Sequence, residues 1–190
     1  MKNTFTGKLV RLRAFEPEDL ALFEAEDKNR DTEKDRCDYM IQLPRAAWKL
    51  REDFPSRLRR EGEMETFRFM IEDLEGNTVG SINAHDVDAR MGTFSYGLGI
   101  YEPYRRRGYA REAILLLLRF YFLELRMHKC NTAAYSFNEA SIGLHRSLGF
   151  VEEGRLRESV YTKGRYFDDV CFGMTREEFL EKYSEFAQEG

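Results

Sequence analysis

Arg105-Arg106-Arg107-Gly108-Tyr109-Ala110 decides how this chain is read. It separates Thr93 to Tyr101, which predicts a strand, from the strongly apolar run Gly108 to Leu125, which predicts a helix. The first backbone N–H groups of a helix lack partners within it, and the helix dipole adds positive potential at that end. Gly108 and Ala110 carry almost no side chain, so an anion can approach the main chain there while three arginines surround it with charge. The stretch predicts a cradle for a diphosphate at the mouth of a strand–helix unit. On these six residues alone, an ordinary turn with solvated arginines is the competing reading.

Before this loop, Lys8 to Phe15 alternates apolar and basic residues, which predicts a half-buried first strand. Pro17 opens a helix with Glu18 and Asp19 in its first turn and Leu20, Leu22 and Phe23 apolar. The charge-dense stretch 29–38 predicts a loop or short helix of the kind that often binds substrate. Pro44 starts a further helix that Pro55 interrupts, and the basic run Arg45 to Arg60 reads as its solvated face. Phe67 to Leu74 and Thr78 to Val87 form strands joined at Glu75-Gly76-Asn77. After the loop, the helix from Gly108 is apolar almost all round, with a narrow polar strip at Arg111, Glu112 and Arg119. Cys130 to Ser136 predicts a strand, Asn138 onward a helix, and Val151 to Thr162 with Tyr166 to Met174 a hairpin. Thr175 with Glu178 forms a capping box for a last helix to Phe186. This order predicts an α+β, or mixed α/β, fold over one domain, residues 1–190.

Composition narrows the function classes. With 42% hydrophobic and 14% aromatic residues among 190, the chain is not of a disordered type. A net charge of −4 argues against a general nucleic-acid binder. Its cysteines, Cys37, Cys130 and Cys171, are odd in number and scattered, which fits a reducing compartment. The opening residues lack the apolar core of a signal peptide, and Ala113 to Leu118 is too short to span a bilayer, so a cytoplasmic location without membrane attachment is expected. His85-Asp86-x-Asp88 offers metal-ligand chemistry, but no histidine or cysteine spacing completes a zinc site, and no metal is expected.

Arg105-x-x-Gly108-x-Ala110 resembles the acetyl-CoA pyrophosphate loop of the GNAT acyltransferases. About thirty residues later, Asn138-Glu-Ala-Ser141-Ile-Gly-Leu-His145-Arg-Ser-Leu148-Gly149-Phe150 resembles that family's Asn-x-x-Ser helix closing on Leu-Gly-Phe. Leu9 to Phe15 and Gly164-Arg-Tyr-Phe-Asp168 are similar to the branch of ribosomal-protein N-terminal acetyltransferases (RimJ/RimL-like). The resemblance implies a central, mostly antiparallel twisted sheet flanked by helices, with a splayed strand pair binding acyl-CoA. It implies acetyl-CoA as co-substrate, held by Arg105, Arg106, Arg107, Gly108, Tyr109 and Ala110, by the main chain of Leu98 and Ile100, and by Asn138 and Ser141. Gly97-Leu98-Gly99 lacks the third glycine of a dinucleotide fingerprint and reads as a bulged or splayed strand, or as glycine kept for packing.

The activity implied is direct acetyl transfer in a ternary complex to a primary amine, either a protein N-terminus or a small amine. A homodimer is compatible with that reading. Many relatives place a tyrosine acid where this chain has His145, so His145 is the candidate acid; packing or simple hydrogen bonding is its alternative role. The strand Thr93 to Tyr101 lacks the glutamate that many relatives use as a base. His85 and Asp86 on the adjacent strand are candidate replacements, and strict alternation puts them on opposite faces. The missing glutamate favours an alternative reading, a non-catalytic CoA-binding sensor or interaction module; transfer from a different acyl-CoA is the alternative among enzymes.

Overall fold

In the computed structural model, residues 4–22, 46, 48–49, 51–52, 67–162 and 164–185 are described. The expected loop at 29–38 and helix break at Pro55 lie outside them, as does Cys37.

Seven strands form one sheet: β1 (Val10–Arg13), β2 (Arg68–Asp73), β3 (Thr78–Asp88), β4 (Thr93–Ile100), β5 (Lys129–Tyr135), β6 (Val151–Thr162) and β7 (Arg165–Thr175). Their order across it is β1-β2-β3-β4-β5-β7-β6, and every pairing is antiparallel except β4 with β5. The expected α+β fold is present. Antiparallel neighbours need only short turns: Asp73 Oδ1 accepts the N–H groups of Glu75 and Asn77 at the β2–β3 turn, where Gly76 takes φ 91°. Gly164 takes φ 78° in the two-residue turn closing β6 onto β7.

The parallel pair needs a crossover, supplied by α1 (Tyr109–Arg119). Its apolar residues from Ala113 to Leu118 are buried against Val10, Ile71, Ile82, Ala84 and Phe94 on one face of the sheet. The helix ends by widening, with the Leu125 N–H donating five residues back to the Phe120 carbonyl. Three successive aromatics diverge from that wide turn. Phe120 packs on Phe5, Tyr121 stacks on Phe94 with centroids 4.4 Å apart, and Phe122 meets Phe179.

The polar strip of α1 is bonded to the elements around it. Glu112 accepts the backbone N–H groups of Lys8, Leu9 and Val10 at 2.8, 2.6 and 2.7 Å. Arg111 donates to Ser147 and to the Tyr183 hydroxyl, and buried Arg119 donates to the Thr4 carbonyl. Each polar side chain of the strip clamps a different neighbouring element. After α1 come the helices α2 (Glu139–Leu148) and α3 (Arg176–Lys182), and α3 starts with the expected Thr175–Glu178 capping box.

Candidate active site

The sheet opens at its centre. Strands β4 and β5 pair only through Thr93–Lys129, Phe94–Cys130 and Ser95–Asn131. Beyond this point β4 follows β3 to the Ile100–Gly80 pair, and β5 follows β7 to the Tyr135–Asp169 pair. The two strands therefore diverge, leaving a gap with a main-chain edge on each side. The Tyr101 N–H donates to Val79 on β3, so the alternate residues Leu98 and Ile100 direct their main-chain groups away from β3 and into the gap. Both strands end at the same side, where α1 and α2 begin. Ligands of sheets with parallel strands bind in such a crevice, beyond the carboxyl ends of diverging strands.

The arginine loop sits at this mouth. A short turn, Glu102–Tyr104, leads into it, and Arg105 through Gly108 are exposed. Gly108 is the N-cap residue of α1 with φ 83°, a conformation that favours glycine. Its carbonyl accepts from the Glu112 N–H, so the N–H groups of Tyr109, Ala110 and Arg111 belong to the first turn and face outward. Arg105 Nε donates to the Ile100 carbonyl at 3.0 Å, and Arg107 donates to Pro103 while lying 5.6 Å from the Tyr104 ring. Two of the three arginines thus brace the loop.

Across the gap, Asn138 caps α2 through its side-chain oxygen on the Ser141 N–H, 3.2 Å away. His145, one turn beyond Ser141, is only 5% exposed. Its Nδ1 lies 2.8 Å from the Ser141 carbonyl, which can only accept, so Nδ1 carries the proton. The ring stacks on Phe172 with centroids 5.3 Å apart and meets Phe150 edge-on. Burial lowers its pKa, outweighing the opposite influence of the Ser141 carbonyl. Nε2 is buried without a hydrogen-bond partner. With Nδ1 donating to Ser141, the buried Nε2 is left as a hydrogen-bond acceptor.

Tyr96 is the first β4 residue beyond the last β4–β5 pair, and sequence reasoning missed it. Its hydroxyl is buried beside Thr132 without a hydrogen bond of normal geometry, and its ring centroid lies 6.0 Å from that of His145. Burial, reinforced by nearby Cys130, raises its pKa, so it keeps its proton. The signal was the parity of β4: Phe94 and Tyr96 share its buried face.

His85 and Asp86 depart from strict alternation. The β3–β4 register shifts between His85 and Asp88, and Asp86 takes φ 50°. This bulge turns the two side chains toward each other, with His85 Nδ1 2.9 Å from Asp86 Oδ2. Asp86 is exposed and His85 half-buried, and His85 is paired with Ser95, beside the vertex of the gap. Among the described residues no group of three or more histidines, cysteines and carboxylates is placed to hold a metal. No helix among them is long and apolar enough to cross a membrane.

Comparison with known proteins agrees with this geometry. Residues 10–151 match the model of the acetyltransferase (GNAT) domain. The chain is 46% identical over 179 residues to an uncharacterised N-acetyltransferase of the SPβ prophage of Bacillus subtilis (strain 168), covering 92% of this chain and 94% of that protein. It is 27% identical to the spermidine N(1)-acetyltransferase of Vibrio cholerae, over 84% of this chain and 88% of that one. A crystal structure of the Vibrio cholerae spermidine N-acetyltransferase in complex with CoA and spermine superposes with a TM-score of 0.78 at 24% identity, covering 92% and 99% of the two chains. The chain belongs to the GNAT acetyltransferase family.

Proposed function

We propose that this protein transfers an acetyl group from acetyl-CoA to a primary amine by direct attack in a ternary complex. The observation that carries the proposal is the β4–β5 gap with the N-termini of α1 and α2 at its mouth. The diphosphate of CoA lies on the first turn of α1 and the loop from Arg105 to Ala110, where backbone N–H groups and guanidinium charge meet it. The pantetheine arm fills the gap as a substitute strand against the main chain of Leu98 and Ile100, with Asn138 and Ser141 on the other side. This arrangement brings the thioester to the vertex near Tyr96.

The attacking amine must be neutral and must lose a proton as the amide forms. His85 suits the task, because Asp86 holds Nδ1 and leaves Nε2 as the acceptor. On the opposite side of the sheet, the Tyr96 hydroxyl donates a hydrogen bond to the departing sulfur, while neutral His145 helps to position it. The thioester is already activated, so positioning supplies much of the rate. Small amines are the favoured acceptors, as in the Vibrio cholerae relative. Protein N-termini are the alternative, suggested by a 27% identical putative ribosomal N-acetyltransferase of Bacillus subtilis. Self-association as a homodimer belongs to the same proposal and is read by light scattering.

Thiol release from acetyl-CoA in the presence of polyamines, simple amines, aminoglycosides and peptides tests the activity. Amine-dependent release is expected. Acetyl-CoA binding without release under any amine would instead favour a CoA sensor.

A further inference from the structure

Among the described residues, Asp169 is a nearly buried carboxylate with an unpartnered oxygen. It lies on β7, paired with Tyr135 of β5 and Leu156 of β6. Val170, Phe172 and Met174 belong to the core, so Asp169 points to the sheet face opposite α1. It is 7% exposed, and its Oδ1 has no hydrogen-bond partner. Burial alone raises its pKa, with no opposing contribution from a neighbouring cation.

Three other acidic residues of this hairpin contrast with it. Glu152 pairs with Arg146 at 2.8 Å, Glu153 with Lys129 at 2.7 Å, and Asp168 with Arg155 at 3.4 Å. The most buried of the four, Asp169, has no basic partner among the described residues. A buried polar atom without a partner is costly, and such atoms are rare in native proteins. Aromatic rings stand beside it: Tyr135 stacks on Phe137 at 5.5 Å, and Phe137 meets Phe167 edge-on at 4.8 Å. Phe167 is two residues from Asp169 on the same strand face, and its ring already receives the Arg165 guanidinium at 4.6 Å. Aromatic faces with an orphaned carboxylate form the chemistry of an organic-cation site.

Its place relative to the gap gives the site a role. Tyr135 is four residues beyond Asn131, the last β5 residue paired with β4, which sets Asp169 roughly 13 Å along the strand from the vertex. That is too far for the reacting nitrogen and suits a second one on a flexible chain. We infer that Asp169, flanked by Tyr135, Phe137 and Phe167, binds the distal ammonium group of an acceptor that carries two or more amines. This rests on the acetyl-transfer reading and gives it a substrate class, a linear di- or polyamine.

Asp169→Asn keeps the shape and removes the charge. Spermidine serves as the polyamine probe and butylamine as the monoamine. The variant is expected to raise the KM for spermidine by about 10- to 100-fold, the range for losing a charged hydrogen-bonded contact. The KM values for butylamine and acetyl-CoA should stay within about twofold. The variant should also melt at a higher temperature, because the neutral amide relieves an unpaired buried charge. Calorimetric titration with spermidine reads the same contact without turnover. Equal spermidine affinity in the two proteins overturns the inference, as does a lower melting temperature with equal losses for every amine. Turnover of peptides but not spermidine by the unmodified enzyme also overturns it, while leaving acetyl transfer intact. Failure of every amine to release thiol removes the acetyl-transfer reading itself.

Discussion

Glu112 shows how much one side chain can fix beside the arginine loop. Its carboxylate accepts three successive N–H groups from Lys8, Leu9 and Val10, and Leu9 lies against Gly108. Glu112→Ala leaves those donors to water or to nothing. It is expected to cost about 1–3 kcal/mol in chemical denaturation and to weaken CoA binding through the displaced Leu9. A variant that keeps full stability contradicts the clamp. Gly108 is a harder residue to test, because φ 83° and a Leu9 contact 3.1 Å from any added Cβ strain every substitution. Gly108→Ala is therefore preferred to Gly108→Val, with CoA titration accompanied by a melting curve.

His145 makes a prediction with a definite sign. Its folded pKa lies below the unfolded value near 6.5, so the unfolded state binds more protons as pH falls through that region. The stability it contributes is complete above about pH 6.5 and is lost below, toward the folded pKa. His145→Phe, stacking on Phe172 in the same place, should flatten that part of the stability curve. It should also retain most of the turnover at neutral pH, whereas Tyr96→Phe lowers it. A drop of about 10²-fold or more in a folded His145→Phe protein restores His145 as the acid.

At the scale of elements, the strands and helices were legible wherever periodicity was strong. The hairpin turns, the α3 capping box and the loop into α1 all follow from local chemistry readable in a single sequence. What was not legible came from contacts distant in sequence. The polar strip of α1 was readable as a strip but not as a set of clamps, because nothing local reveals that Glu112 meets residues 102 to 104 positions earlier. The His85–Asp86 contact depends on a bulge, and strict alternation fails where the backbone adds a residue to one strand. Asp169 was missed because its meaning lies in the absence of a partner, which only packing shows.

The β1–β2 edge provides the test at this scale. Arg13 bridges Asp19 at 2.7 Å and Glu72 at 2.7 Å, and both carboxylates are nearly buried. Burial would raise the Asp19 pKa, but hydrogen bonds from Arg13 and the Glu16 N–H, with the guanidinium charge, hold it below the ordinary value. Arg13→Met should cost about 2–4 kcal/mol in urea unfolding, since it strands the buried Asp19 carboxylate and leaves Glu72 with Arg11 alone. The Asp19 contribution is present above the unfolded carboxyl pKa and is lost as pH falls through the lower folded value. A flat stability below about pH 4 contradicts it.

Across the whole molecule, one topological event organises function. A sheet that is otherwise antiparallel contains a single parallel pair, and the crossover it requires places α1 and its arginine loop at the end of β4. That pair parts after three residues, so the gap, the loop and the Asn138 cap share one mouth. Because Arg105 and Arg107 partly brace the loop, CoA affinity should fall only several-fold between about 50 mM and about 500 mM salt, leaving a salt-insensitive part from backbone N–H groups. The most direct test of the account is stopped-flow thiol release from acetyl-CoA with and without spermidine, with the product identified by mass. The account predicts rapid release only when both are present, with one acetyl group moved to the amine. Tight acetyl-CoA binding with no amine-dependent release, across the full acceptor panel, would contradict it.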